Sequence, residues 1–302
     1  LAKPFLTYDE QIEKLINEKK LIINDSESAK EVLKNIGYFS LIGGYKIPFI
    51  DPMTRIYQNG ASFNDILALY HFDLSLRELI FKYLCEIECR MRQLISYHFC
   101  SVHGEQQSEY LDPHNYNPSL KNILDYQANK NQDHTYVVHQ RKVYHNVPLW
   151  VLINTLTYGQ ISKLYTLLPS QIQSSISKNF PHVKEKTLEQ YLKILTLFRN
   201  VCAHNERLYS FRTQIDFPDT KLHDKLGIPK KGIQYVYGKR DLFGVVIAFR
   251  YLLPKESFLD FKSSLIKVLH TYHRQSSQLA EKELLTIMGF PLNWTSVTRY
   301  FL

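Results

Sequence analysis

With 302 residues, 44% of them hydrophobic, the chain is long enough to bury a sizeable core and reads as an ordinary folded protein. Lys plus Arg outnumber Asp plus Glu by 37 to 29, and the net charge of +8 favours an anionic partner such as nucleic acid; no polybasic tail carries it, so a binding surface has to be assembled by folding. The cysteines Cys85, Cys89, Cys100 and Cys202 have neither the density of a secreted disulfide scaffold nor the paired spacings of a zinc site, and no apolar run reaches about 18 residues. These features, with no basic-then-apolar leader pattern, lead us to expect a reduced cytoplasmic protein with no membrane span, no metal and no cofactor.

In chain order, Thr7 ahead of Asp9 and Glu10 opens a capped amphipathic helix over residues 7–23, and Ser26 opens a second that stops at Gly37. The stretch from Gly37 to Phe49 is aromatic, rich in glycine and broken by Pro48, which predicts a packed loop. Tyr45 and Lys46 there are candidate RNA contacts; the alternative is a set of aromatic wedges that lock the N-terminal helices onto the body. From Ser62 to about Val102, apolar residues recur at three and four, predicting a long central helix with room for one break.

Glu88 falls on or beside the apolar stripe of that helix, where a charge wants a partner. Arg92 at i+4 is the local candidate, and an arginine arriving from another helix, such as Arg199, is the other. Arg92 and His98 also stand in an arginine, five residues, histidine spacing. After Gly104 the chain turns polar, which predicts loops around one short helix, with His134, His139 and His145 at the surface. A helix then begins at Pro148-Leu149-Trp150 and runs on to Pro169, Gly159 serving as a kink or a close helix crossing. Residues 170–179 form a short helix, and the next starts near Glu185. Beyond Phe211 lies a loop with a Lys230-Lys231-Gly232 turn, followed by helical rows over 242–253 and 258–272. No repeat or strand alternation is visible, so the fold class is all-α.

The helix from Glu185 ends in Arg199-Asn200-Val201-Cys202-Ala203-His204-Asn205-Glu206-Arg207-Leu208. Its apolar stripe is Leu188, Tyr191, Leu192, Leu195, Phe198 and Cys202, and Arg199, four beyond Leu195, turns inward with it. An arginine and a histidine separated by four residues supply a fixed cation and a group that titrates near neutrality. On spacing alone, a buried structural arginine and a histidine favoured by the helix dipole account for the pair better.

Several stretches together resemble the abortive-infection (Abi) family of bacterial phage-defence proteins, of the AbiD and AbiF kind. They are Gly37 to Tyr45; Phe72-Asp73-Leu74-Ser75-Leu76-Arg77-Glu78-Leu79 leading to Ile87-Glu88; Pro148-Leu149-Trp150 with Tyr158-Gly159-Gln160-Ile161-Ser162; Arg199 to Leu208; and Met288-Gly289-Phe290-Pro291 to Trp294. The resemblance implies a HEPN-type helical bundle at residues 61–215, with N-terminal helices over 1–60 and a C-terminal helical extension over 216–302, all in one integrated unit. HEPN proteins carry arginine, four to six residues and histidine, with a polar residue after the arginine, which Arg199, Asn200 and His204 match.

By the same resemblance the expected activity is metal-independent endoribonucleolysis with Arg199, Asn200 and His204 as catalytic residues. Read from the residues themselves, Arg207, Arg92, His98, Lys46 and Tyr45 are candidate RNA contacts, with a salt bridge to Glu206 or Glu88 as the alternative for Arg207, and Glu88 is a supporting carboxylate. Two motifs meeting in a homodimer complete such a centre, unless Arg92 and His98 supply the second half. The expected partners are RNA, either a single-stranded target or a small noncoding RNA, and an antitoxin. Two alternatives stay open: an RNA-binding protein that does not cleave, and a toxin that acts by protein contact.

Overall fold

A single helix, Phe63–His103, forms the axis of the protein. At 41 residues it extends about 60 Å. Ser62 and Asp65 cap its start reciprocally, and Gly104 closes it at φ 90° with its N–H on the Cys100 carbonyl at 2.8 Å. The helix is unbroken, since no proline or interior glycine interrupts its stripe of Ile66, Leu69, Leu76, Ile80, Leu84, Ile87, Met91 and Ile95, all buried. The computed structural model describes residues 4–300. It is helical except for one small hairpin, Lys230–Lys231 with Gln234–Tyr235, so the chain is all-α. Among the described residues no helix is long and apolar enough to cross a membrane.

Two helices pack along this axis. The motif helix, Glu185–Ala203, lies on one side, and Lys255–Gln275 lies on another through Phe72 against Tyr272 and Tyr83 against Phe261, each with ring centroids 5.2 Å apart. The N-terminal pieces are Tyr8–Glu13, which widens into a π-helical turn over Lys14–Glu18, and Ser26–Ile36, whose cap is Asp25, one residue before the expected Ser26. The aromatic stretch folds as a π-helical turn, Phe39–Gly43, and a 3-10 turn, Ile47–Phe49, burying Leu41, Ile42 and Phe49. One contiguous apolar core reaches from Ile12 to Val297.

Two expectations are corrected. The polar region after Gly104 holds three short helices, Gln107–Leu111, Lys121–Asn129 and Thr135–Tyr144, each burying only one or two side chains, too sparse a row to register as periodicity. Arg141 ties the last of these to the end of the second by donating to the carbonyls of Ala128 at 2.9 Å and Asn131 at 2.8 Å. The element expected from Pro148 to Pro169 is two helices, Leu149–Leu152 and Tyr158–Leu167, because Thr157 starts a fresh capping box with Gln160. Gly159 is a close crossing: a Cβ there would lie 3.4 Å from Thr196 of the motif helix.

Gly289 ends the helix Glu281–Met288 at φ 82°, and a Cβ on it would lie 2.3 Å from Cγ of Asp241. Asp241 is itself occupied, accepting from Gly238 N at 3.0 Å and Gly244 N at 3.1 Å. Gly289→Ala therefore combines left-handed strain with overpacking and is expected to lose about 3 kcal/mol, read as a lower urea midpoint at unchanged slope.

Candidate functional site

The motif residues sit on the last turn of the motif helix. Phe198 and Cys202 face the core, Arg199 is half-buried beside them, and Asn200 and His204, four apart, are exposed on the adjoining face. The guanidinium carbon of Arg199 lies 5.7 Å from the centroid of the Phe81 ring on the central helix. Its Nε is buried without a hydrogen bond, and among the described residues no carboxylate pairs with it. Arg77 and Arg92 on the central helix also bury an Nε without a hydrogen bond, but each has a carboxylate: Arg77 pairs with Asp73 at 2.7 Å and Arg92 with Glu88 at 2.5 Å.

His204 is the helix C-cap, its N–H donating to the Asn200 carbonyl at 2.9 Å. Asn205 follows at φ 55°, which lets Glu206 N reach the Val201 carbonyl at 3.0 Å and Asn205 N the Cys202 carbonyl at 3.4 Å. This is a Schellman-type ending with asparagine, the non-glycine residue that best tolerates the left-handed region, at its turning point. Helix termination thus presents the His204 ring to solvent. The imidazole makes no hydrogen bond among the described residues.

A buried carboxylate anchors the chain just after His204. Asp73 accepts from Tyr209 N at 2.7 Å, Leu208 N at 3.1 Å, the Tyr45 hydroxyl at 2.8 Å and Arg77. Arg77 also donates to the Glu206 carbonyl at 3.3 Å. Burial pushes the Asp73 carboxyl upward, and the Arg77 guanidinium with the three other donors opposes it. Asp73 and Arg77 were legible as opposite charges at i and i+4 inside a buried stripe, the signal that singled out Glu88; no role follows for them from the motif alone.

The remaining candidates divide. Tyr45 is only 4% exposed, its ring between Tyr70 and Tyr209 at 5.4 and 5.9 Å, so it takes the wedge role and presents no face for RNA. Lys46 beside it is half-buried. Arg207 is exposed but donates to the Gly44 carbonyl and pairs with neither Glu206 nor Glu88. Glu88 is held by the local partner, and Arg92 also donates to the Leu156 carbonyl at 2.9 Å. His98 packs against Asn179 at 3.3 Å, where burial pushes its imidazole down; along the helix it lies roughly 25 Å beyond Phe81, so one chain does not bring it to Arg199.

Both thiols near Arg199 are poor nucleophiles. Burial pushes Cys202 up to about 12 and also raises Cys85, although cations stand near each. The titratable group the motif offers to solvent is therefore the imidazole. Among the described residues no three His, Cys, Asp or Glu side chains gather as a metal site.

Comparisons with curated proteins and with solved structures found no match. A protein-family model described as Abi-like protein matches residues 31–210, a span that holds the central helix, the Asp73 and Arg77 anchor and the Arg199 to His204 turn. That span is more than half of the 302 residues, and the chain belongs to the Abi-like family of abortive-infection proteins.

Proposed function

We propose that this abortive-infection protein acts on RNA through a HEPN-type site at Arg199, Asn200 and His204, as a metal-independent endoribonuclease. The observation that carries the reading is Arg199: a half-buried guanidinium steadied by the Phe81 ring and left without a carboxylate, beside an exposed amide and an exposed imidazole. Such a cation is poised for an anion from outside the chain, and a phosphodiester fits its planar donor fork.

In the reaction the ribose 2′-hydroxyl attacks the adjacent phosphorus. A base takes the hydroxyl proton, the bond from phosphorus to the 5′-oxygen breaks, and an acid protonates that oxygen, leaving a 2′,3′-cyclic phosphate and a 5′-hydroxyl. Arg199 holds the non-bridging oxygens as charge builds on the phosphorane, and Asn200 orients the phosphate. One imidazole cannot take one proton and give another in the same step. With His98 remote and Arg92 occupied by Glu88, the second histidine comes from a second copy of the chain, so the active form is a homodimer with two motifs facing one phosphate.

One observation favours a second reading. No partner fixes the tautomer of His204, as a general base ordinarily requires, and a ring without an orienting group suits an RNA-binding protein that holds a small noncoding RNA without cutting it. Wild type and His204→Ala, incubated with labelled single-stranded RNA in EDTA, separate the two. Cleavage by wild type alone, with cyclic phosphate ends, supports the nuclease; tight binding by both with no cleavage supports the binder. A toxin acting by protein contact predicts no salt-sensitive RNA binding at all.

A further inference from the structure

Trp150, 45% exposed at the start of the helix Leu149–Leu152, has a groove on either side of it. One groove runs toward the helix Thr135–Tyr144 and is edged by Tyr136, His139, Gln140 and Asn154. The other runs toward the end of the central helix and is edged by Gln93, Ser96, Tyr97 and Ser101. Tyr97 is 70% exposed and Tyr136 42%, so three aromatic side chains reach the surface around one point. The face is remote from Arg199, since Tyr97 lies roughly 24 Å beyond Phe81 along the helix.

Single exposed aromatics are ordinary, but a contiguous group marks an interaction surface. The chemistry of the lining selects the occupant. A groove for an apolar helix is walled by aliphatic side chains, and of those lining these grooves only Val151 is aliphatic. Amides, hydroxyls, the aromatic rings, His139 and Cys100 take the other positions. The amides of Gln93 and Gln140 make no hydrogen bond among the described residues, and Asn154 directs its N–H groups to the carbonyls of Trp150 at 2.8 Å and Val151 at 3.3 Å, leaving its oxygen open. No carboxylate lines either groove, and Lys142 is exposed on the same short helix. Flat rings for stacking, amides that both donate and accept, and no negative charge match unpaired nucleobases on a polyanion.

We propose that this face is a second RNA-contacting surface, where unpaired bases stack on Trp150, Tyr97 and Tyr136 while Gln93, Gln140 and Asn154 meet their edges. It rests on the reading above only in taking RNA as the ligand and requires no cleavage. Its role is to hold a single strand at a distance from the motif.

The chain has two tryptophans, and Trp294 is 3% exposed, so a change in intrinsic fluorescence on adding RNA reports on Trp150. A short, unstructured, uridine-rich RNA titrated into the full chain is expected to quench it. Tyr97→Ala with Tyr136→Ala, both at exposed positions, is expected to weaken binding about 5- to 150-fold per stack lost. The slope of affinity against salt should stay unchanged, because no phosphate contact is removed. No quenching in wild type, or unchanged affinity in the double variant with its thermal unfolding intact, overturns the proposal. Arg199→Ala and His204→Ala, run alongside, tell the two readings apart. Quenching and tyrosine-dependent affinity that persist while neither motif variant alters binding or cleavage would sink the motif and leave this surface standing.

Discussion

Asp73→Ala is expected to cost about 4 kcal/mol of folding stability and to abolish activity, although Asp73 touches neither Arg199 nor His204. The carboxylate is fully buried and Arg77 is 3% exposed. Removing it strands the guanidinium in the core and deprives Leu208 N, Tyr209 N and the Tyr45 hydroxyl of their acceptor. Those amides begin four residues after His204, so the turn that presents the imidazole loses its anchor as the core loses its charge balance. Arg77→Ala should cost a similar amount for the mirror reason. Asp73→Leu with Arg77→Met removes both charges and leaves no buried ion unpaired, so it should recover the part of the loss due to the stranded ion but not the part due to the three donors left without an acceptor. Urea unfolding of the three variants reads these values. A loss under about 1 kcal/mol for Asp73→Ala would show that the carboxylate is not the anchor.

Legibility followed the length and regularity of each element. The central helix was readable from end to end because Ser62, Asp65 and Gly104 mark its ends and its apolar rows repeat over eleven turns' worth of chain, about 40 residues. The helices between Gly104 and Asn146 were not, since Tyr110, Leu124 and Val137 are isolated buried points in polar sequence, held by side chain to backbone bonds such as those of Arg141. At the motif, periodicity placed Arg199 on the inward side correctly. It could not place Tyr45, whose burial is decided by Asp73 and Tyr209 across the fold, or show that Asn205 turns the chain. Those facts depend on residues distant in sequence meeting in space.

Arg199→Ala is expected to reduce RNA cleavage by about 10²- to 10³-fold, the usual cost of removing one donor from a transition-state charge, while leaving stability unchanged or slightly higher. The two halves come from the same geometry. A half-buried guanidinium with no carboxylate partner contributes little net stability to the free chain, because its desolvation is offset only by the Phe81 ring. A structural arginine behaves in the opposite way, as Arg77 would. Arg199→Lys keeps the charge but neither the fork nor the stacked plane. It should therefore preserve the salt dependence of RNA binding, which Arg199→Ala lowers by about one ion, without restoring cleavage. His204→Ala should lose about 10²- to 10⁴-fold in cleavage with RNA affinity retained, and combining it with Arg199→Ala should add little, since both act on one transition state. In a dimer with paired motifs, mixing equal amounts of inactive Arg199→Ala and inactive His204→Ala chains forms centres with one arginine and one histidine, each from a different chain. Cleavage recovered on mixing would mean that one arginine and one histidine per phosphate suffice and would overturn the two-histidine centre, and its absence would mean that every phosphate needs an arginine and a histidine from both copies.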